Sequence, residues 1–127
     1  MATKVVVTGG RGFIGSHIID ALVQRGFDVH SIDSAETARE KNPKATYHVA
    51  DIRDVAAVAV ILEGSDCIFH EAALPRVQYS IENPIETFSI NVDGTVALLK
   101  AAVDAKVCRF VFASSAAVYG DQSTMPL

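Results

Sequence analysis

The 127-residue sequence predicts an α/β fold, with a parallel sheet covered by helices on both faces. Two observations support this. Five short runs rich in β-branched and aromatic residues recur along the chain, and segments with helical periodicity separate most of them. The predicted strands span residues 4–8, 28–32, 46–50, 66–70 and 109–113. Since parallel crossovers are right-handed, the expected strand order is 3-2-1-4-5, and the order reverses between strands one and four.

Apolar periodicity and helix-ending residues mark the connecting helices. The first helix presents an apolar face from Ile14 to Leu22 and ends at Arg25-Gly26. A second helix runs from an Asp54 cap to Leu62, and a long third helix spans residues 85–105. The polar segment 33–44 predicts a loop with a short helical piece, and residues 120–127 predict a turn-like tail.

Composition and charge exclude several classes of protein. Half of the residues are hydrophobic and a fifth are charged, as in ordinary globular domains. The net charge of −4 argues against nucleic-acid binding, and no apolar run is long enough to cross a membrane. No signal peptide is expected before the first strand, which indicates a cytoplasmic protein. Cys67 and Cys108 lie in apolar runs and are expected to be reduced core thiols.

A glycine-rich loop, TGGRGFIG at residues 8–15, joins the first strand to the first helix. A pyrophosphate needs backbone N–H groups directed at it and no side chains in the way. Gly9 and Gly12 would permit the tight turn and close approach, and Gly15 would let the helix pack against the sheet. In this strand–loop–helix context the pattern indicates a Rossmann-type, doubly wound fold. The alternative is a glycine-rich turn without a ligand.

Asp33 ends the second strand and favours NAD over NADP. A carboxylate there can accept hydrogen bonds from both ribose hydroxyls of adenosine and would repel a 2′-phosphate. Arg11 argues in the other direction, since a cation in the glycine loop could pair with that phosphate. Asp33 receives more weight because it acts at the 2′ position directly. The alternative is that Asp33 is a solvated loop residue.

Five motifs in order resemble the extended short-chain dehydrogenase/reductase family of NAD-dependent epimerases and dehydratases. They are TGGRGFIG at 8–15, Asp51-Ile52, HEAA at 70–73, NVDGT at 91–95 and SSAAVYG at 114–120. The resemblance covers nearly the whole chain and is closest to UDP-sugar 4-epimerases. It implies NAD as cofactor, a UDP-sugar as substrate, and C4 epimerisation through a transient 4-keto sugar.

The resemblance also implies roles for individual residues. The implied cofactor-binding residues are Gly9, Gly12, Phe13, Ile14, Gly15, Asp33, Asp51, Ile52, Ala72, Ala73, Asn91 and Ser114. Ser115 matches the catalytic serine that hydrogen-bonds the reacting sugar hydroxyl, the alternative being a polar strand end. Asn91 matches a residue that supports the site, the alternative being an ordinary helix start. Tyr119 belongs to the structural VYG element.

One part of the family's pattern is missing from these 127 residues. The family's acid–base pair is a tyrosine followed four positions later by a lysine, which lowers the pKa of the tyrosine. The tyrosines here are Tyr47, Tyr79 and Tyr119, and the residues four positions later are Asp51, Asn83 and Ser123. In the family this pair lies beyond the VYG element. We therefore expect one domain, 1–127, truncated after strand five, to be the N-terminal part of a longer protein and to be inactive alone.

The sequence leaves two alternative functions open and argues against a metal site, an NTPase and a serine hydrolase. A dTDP- or GDP-sugar 4,6-dehydratase or another extended short-chain reductase is the enzymatic alternative, and a non-catalytic NAD-binding or dimerising module is the alternative from another class. The unpaired edge of strand five and, as the resemblance implies, helix 85–105 lead us to expect a homodimer through that edge, that helix or both, the alternative being that the tail 118–127 folds back and shields the edge. No metal site is expected, because His17, His30, His48 and His70 lack partners at metal-ligand spacing. The chain also lacks the P-loop and GxSxG motifs.

Overall fold

The computed structural model describes residues 2–37 and 39–124, which contain a five-stranded parallel sheet of order β3-β2-β1-β4-β5. The strands are β1 (Lys4–Thr8), β2 (Asp28–Asp33), β3 (Thr46–Val49), β4 (Cys67–His70) and β5 (Arg109–Phe112). Thr8 pairs with Ile32 on one side and with His70 on the other, so β1, β2 and β4 end at the same edge. The predicted class and strand order are confirmed.

The helices are α1 (Phe13–Gln24), α2 (Val55–Leu62), α3 (Val77–Glu82), α4 (Pro84–Phe88) and α5 (Gly94–Asp104). Helix α1 packs on one face of the sheet, and α2 and α5 pack on the other. A π-helix (Ser89–Asp93) joins α4 to α5, and a 3-10 helix (Ala116–Tyr119) follows β5. No helix in the described part of the chain is both long and apolar enough to span a bilayer.

The core has two layers because successive side chains of a strand point to opposite faces. Val5 and Val7 of β1 pack with Ile19 and Leu22 of α1 on one face. Val6 faces the other way and belongs to the larger cluster. That cluster contains Val6, Ile32, Ile52, Val58, Leu62, Ile68, Leu98, Ala101 and Ala102. The burial of both faces explains why β1 is a continuous apolar run.

The third predicted helix differs most from the structure. Residues 84–104 are helical, but the π-helix interrupts them, so the segment is not the uniform helix predicted over 85–105. A π-turn widens the hydrogen-bond spacing by one residue, and apolar periodicity does not reveal such a local insertion. Pro84 occupies the first turn of α4, where its missing N–H has no intrahelical partner to lose. The short helix α3 was not predicted.

Three smaller predictions are also corrected or completed. Cys67 is half-buried in β4, but Cys108 is exposed just before β5, so the expectation of two core thiols is wrong for Cys108. The described residues between β2 and β3, 34–37 and 39–45, contain no helical piece. Residues 120–124 contain bends but no helix or strand, as expected for the tail, and residues 125–127 lie outside the described residues.

Candidate functional site

A cavity of about 450 Å³ lies at the edge where β1, β2 and β4 end. The strand order reverses beside β1, so the connections that follow β1 and β4 leave towards opposite faces of the sheet and open a crevice there. The lining residues are Gly9, Gly12, Phe13, Ile14, Gly15, Ile32, Asp33, Ser34, Ala50, Asp51, Ile52, Glu71, Ala72, Ala73, Leu74, Pro75 and Ile90. Ten of the twelve residues predicted to bind a cofactor are among them.

The glycine loop forms one wall because side chains are excluded from it. Gly9 has φ +68°, and a Cβ on it would lie 2.8 Å from the Ala72 nitrogen across the cavity. A Cβ on Gly15 would collide with the Gly9 carbonyl oxygen. The N-cap of α1 is Gly12, which has no side chain to bond the first-turn N–H groups. Those N–H groups and the helix dipole therefore remain available to an anion.

Asp33 stands at the end of β2, on the opposite side of the cavity mouth. Its carboxylate accepts hydrogen bonds from the Arg11 N–H at 3.0 Å and the Ala35 N–H at 3.3 Å. An ionised carboxylate has about four acceptor positions, so two backbone donors leave capacity for a ligand. Asp33 is thus anchored by backbone groups while it faces the cavity.

Arg11 has a different role from the one considered in the sequence. Its side chain is only 5% exposed and is not among the cavity-lining residues. The guanidinium donates to the carbonyl oxygens of Thr37 at 2.6 Å and Arg39 at 2.7 Å, and it lies 5.4 Å from the centroid of the Tyr47 ring. Arg11 therefore stabilises the loop after β2, and its charge is not presented to the cavity.

Asp51 and Ile52 line the cavity beyond β3 and depend on a residue that was not predicted. Arg53 donates to the Asp51 carboxylate from Nη2 at 2.6 Å and from Nε at 3.0 Å, and to Ser89 Oγ at 3.1 Å. The hydrogen bonds from Arg53 lower the pKa of Asp51. Ile52 is buried against Gly94 of α5. The only sequence indication of this was an arginine two positions after the aspartate.

The segment 71–75 after β4 forms the far wall and is held by residues distant in sequence. Thr8 Oγ1 accepts hydrogen bonds from the N–H groups of Glu71 and Ala72, each at 3.2 Å. The Asn91 side chain accepts from the Leu74 N–H at 2.8 Å and donates to the Leu74 carbonyl at 3.0 Å. Burial raises the pKa of Glu71.

The structure places three of the predicted residues outside the cavity lining. Asn91 lies within the π-helix and contacts the Leu74 backbone, so it supports the wall from behind. Ser114 and Ser115 are exposed after β5. Ser115 Oγ accepts the Ala117 N–H at 3.1 Å and caps the 3-10 helix. Cofactor contact by Asn91 and Ser114, and catalysis by Ser115, stay predictions.

Seven lining residues were missed. They are Ile32, Ser34, Ala50, Glu71, Leu74, Pro75 and Ile90. Most lie next to a predicted residue at a strand end, so position along the strand was the available indication. A second cavity of about 320 Å³ is lined by Leu74, Pro75, Arg76 and Tyr79, and shares Leu74 and Pro75 with the first. Tyr79 donates a hydrogen bond to Glu86, which raises the pKa of Tyr79.

Comparison with known proteins shows two similar proteins with different named activities. The chain is 41% identical over 128 residues to a UDP-glucose 4-epimerase of Lactobacillus helveticus, covering 98% of this chain and 39% of that protein. It is 39% identical over 124 residues to a 3-beta-hydroxysteroid dehydrogenase of Mycolicibacterium neoaurum, covering 94% of this chain and 34% of that protein. The chain therefore spans between a third and two fifths of the length of these relatives.

A solved structure and a family pattern agree with these relatives. The fold superposes on a UDP-glucose-4-epimerase from Stenotrophomonas maltophila, solved with NAD and formylated UDP-arabinopyranose, with a TM-score of 0.88 and 36% identity. That match covers 98% of this chain and 40% of the other. The pattern of the NAD dependent epimerase/dehydratase family matches residues 5–127. Because this match includes nearly the whole chain, the protein belongs to the NAD dependent epimerase/dehydratase family.

Proposed function

We propose that residues 1–127 form the NAD-binding domain of a UDP-sugar 4-epimerase. One observation carries this proposal: the glycine loop, the Asp33 carboxylate and the Asp51-Ile52 pair all line one cavity. The first-turn N–H groups of α1 would hold the pyrophosphate. Asp33 would accept the adenosine ribose hydroxyls, and Asp51-Ile52 would contact the adenine. NAD is the cofactor by which this family is named.

Cofactor choice provides the test. Asp33 lies at the cavity and Arg11 is engaged with backbone carbonyls, so NAD is expected to bind at least about tenfold more tightly than NADP in calorimetry. Asp33→Asn keeps the shape but removes the charge, and it should reduce this preference. Asp28→Asn changes a carboxylate at the other end of the same strand and serves as the matched control. Equal affinities of the unaltered chain for NAD and NADP would contradict the proposal.

The epimerase reaction assigns separate tasks to the cavity and to the serine after β5. NAD, when bound, supplies the hydride acceptor for oxidation at C4. Ser115 would hydrogen-bond the reacting sugar hydroxyl, as its exposed position at the carboxyl edge of the sheet permits. The second cavity, beside Leu74 and Pro75, offers space for the sugar next to the cofactor. Proton transfer needs a tyrosine–lysine pair that these 127 residues do not contain.

A reductase or dehydratase of the same family is the second candidate. The 39% identity to a 3-beta-hydroxysteroid dehydrogenase favours it, because a similar N-terminal segment occurs there with another named activity. Ligand-observed NMR of the NADH-loaded chain separates the candidates without requiring turnover. Saturation transfer to the sugar protons of UDP-galactose supports the epimerase, whereas transfer only to dTDP-glucose or to a 3β-hydroxysteroid supports the alternative.

We also propose that the protein is a homodimer. Eight large apolar side chains are exposed at helical spacing along α3, α4, the π-helix and α5. They are Val77, Ile81, Ile85, Phe88, Val92, Val96, Leu99 and Val103. An exposed stripe of this length is typical of an interface, and a two-fold axis would pack it against the same stripe of a second copy. The exposed β5 residues Val111 and Phe112 are a second possible contact.

Sedimentation of charged variants tests the dimer. Val96→Asp places a carboxylate in the middle of the stripe and should shift the protein to monomer. Val60→Asp alters a similarly exposed valine on α2, outside the stripe, and should leave the dimer intact. A monomeric wild-type protein at high concentration would contradict the proposal.

We further propose a cytoplasmic location, since Cys67 and Cys108 are both free thiols.

A further inference from the structure

We propose that His70 is a positioning residue that holds the cavity wall at residues 71–74 through a chain of hydrogen bonds, which runs from the Thr8 side chain through the His70 and Thr95 side chains to the Asn91 backbone carbonyl. The consequence for NAD binding rests on the proposed cofactor site. The positioning itself rests only on the contacts of these side chains.

The histidine is buried between elements that are far apart in the sequence. His70 is the last residue of β4 and is 2% exposed, and its strand partner Thr8 is fully buried. The ring nitrogen Nδ1 lies 2.6 Å from Thr8 Oγ1, and Nε2 lies 2.8 Å from Thr95 Oγ1 on α5. The rings of Phe110 and Phe112 lie beside the imidazole on the β5 side, with centroids 5.7 and 5.8 Å from that of His70.

The available donors and acceptors allow only one assignment of donor and acceptor for each hydrogen bond of this network. The Thr95 hydroxyl donates to the Asn91 carbonyl oxygen at 2.7 Å, so Thr95 Oγ1 is left to accept a proton from His70 Nε2. His70 Nδ1 must then accept from the Thr8 hydroxyl. A neutral imidazole with its proton on Nε2 satisfies every partner. A doubly protonated ring would leave the Thr8 hydroxyl proton without its acceptor.

The electrostatics of the site agree with this geometry. Burial lowers the pKa of His70 from 6.5 to about 4. The ring is therefore neutral at physiological pH, as the network requires.

The network joins the two points that hold the cavity wall. At one end Thr8 Oγ1 accepts the N–H groups of Glu71 and Ala72, and at the other the Asn91 side chain binds both backbone groups of Leu74. His70 and Thr95 connect Thr8 to Asn91. The Ala72 backbone lies close to Gly9, so that a Cβ added to Gly9 would lie only 2.8 Å from the Ala72 nitrogen. A small displacement of the wall therefore changes the width of the cavity.

The experiment alters the network at Thr95 and leaves the histidine in place. Thr95→Val removes the acceptor of the Nε2 proton at nearly constant volume, and Thr95→Ser restores a hydroxyl. Thr87→Val is the matched control, because the Thr87 hydroxyl also donates to a carbonyl four residues earlier, that of Asn83 at 2.9 Å, in the same helical segment. The readouts are the His70 tautomer by ¹⁵N NMR, amide exchange at Glu71 and Ala72, and NAD affinity by calorimetry.

We expect the wild-type protein to show the Nε2–H tautomer at pH 7. Thr95→Val should lower the population of the Nε2–H tautomer and accelerate amide exchange at Glu71 and Ala72. It should also weaken NAD binding by about tenfold, the equivalent of one hydrogen bond. Thr95→Ser should recover all three properties, and Thr87→Val should change none of them. A predominant Nδ1–H or doubly protonated ring in the wild type would overturn the proposal.

The proposal can fail separately from the proposed cofactor. If the wild-type protein does not bind NAD, the cofactor assignment fails, and the amide exchange still decides the role of His70. Faster exchange at Glu71 and Ala72 in Thr95→Val than in Thr87→Val supports positioning of the wall. Equal exchange in the two variants refutes it.

Discussion

Burial of His70 makes the stability of the protein depend on pH in a way that one substitution should remove. The pKa of this imidazole is lowered to about 4 in the folded protein, against 6.5 for an exposed histidine. As the pH falls below 6.5, the unfolded chain takes up a proton that the folded protein does not bind. The free energy of unfolding therefore decreases as the pH falls from 6.5 towards 4, and this contribution is fully present only above 6.5.

The magnitude follows from the two pKa values. Each pH unit between them corresponds to about 1.4 kcal/mol, so the full contribution is roughly 3 kcal/mol. Between pH 7 and pH 5 the loss attributable to His70 is about 2 kcal/mol. His48, whose pKa is also lowered, acts in the same direction, and Glu71, whose pKa is raised, acts in the opposite direction. Both groups remain when only His70 is replaced.

Urea unfolding of the wild-type protein and of His70→Asn at pH 7 and pH 5 measures this contribution. The variant should be less stable at pH 7, because it loses buried hydrogen bonds, but its further loss at pH 5 should be smaller by about 2 kcal/mol. Thr87→Val removes no titratable group and should keep the wild-type pH dependence. Equal pH dependence in His70→Asn and the wild type would show that His70 titrates alike in both states, and the reasoning would be refuted.

Three further predictions concern other parts of the chain. Arg53→Met should raise the pKa of Asp51 towards its usual value and weaken NAD binding several-fold, since Asp51 loses its hydrogen-bonding partner; carboxyl NMR and calorimetry test this. Gly26 and Lys106 occupy equivalent positions after α1 and α5, and both have a positive φ, which favours glycine. Gly26→Ala should therefore lower the free energy of unfolding by about 1 kcal/mol, and Lys106→Gly should raise it by about 1 kcal/mol, both measured by urea unfolding. The 127-residue chain should leave UDP-galactose unchanged in the presence of NAD, because it lacks the tyrosine–lysine pair; robust turnover by a pure sample would contradict this.

Local patterns were sufficient to predict the sheet, the glycine loop and Asp33, and the family resemblance supplied most of the other cavity residues. The valine run in β1 indicated a strand with both faces buried, and the glycine spacing after it indicated a phosphate loop. Asp33 could be identified because it ends a predicted strand, whereas Asp51 was identified through the family resemblance. The carboxyl ends of neighbouring parallel strands lie at one edge, so residues that follow those strands meet even when they are far apart in the chain.

The roles of Arg11, Asn91 and His70 depend on contacts that no local pattern encodes. The charge of Arg11 could have faced the cavity, and it is directed away because the loop after β2 folds over it and supplies two carbonyl acceptors. Asn91 reaches Leu74 from within a π-helix that periodicity did not reveal. The tautomer of His70 follows from Thr8, 62 positions earlier, and Thr95, 25 positions later. Propensity and spacing act over a few residues, whereas the direction of a buried hydrogen bond is set by whichever distant partner packing brings within reach.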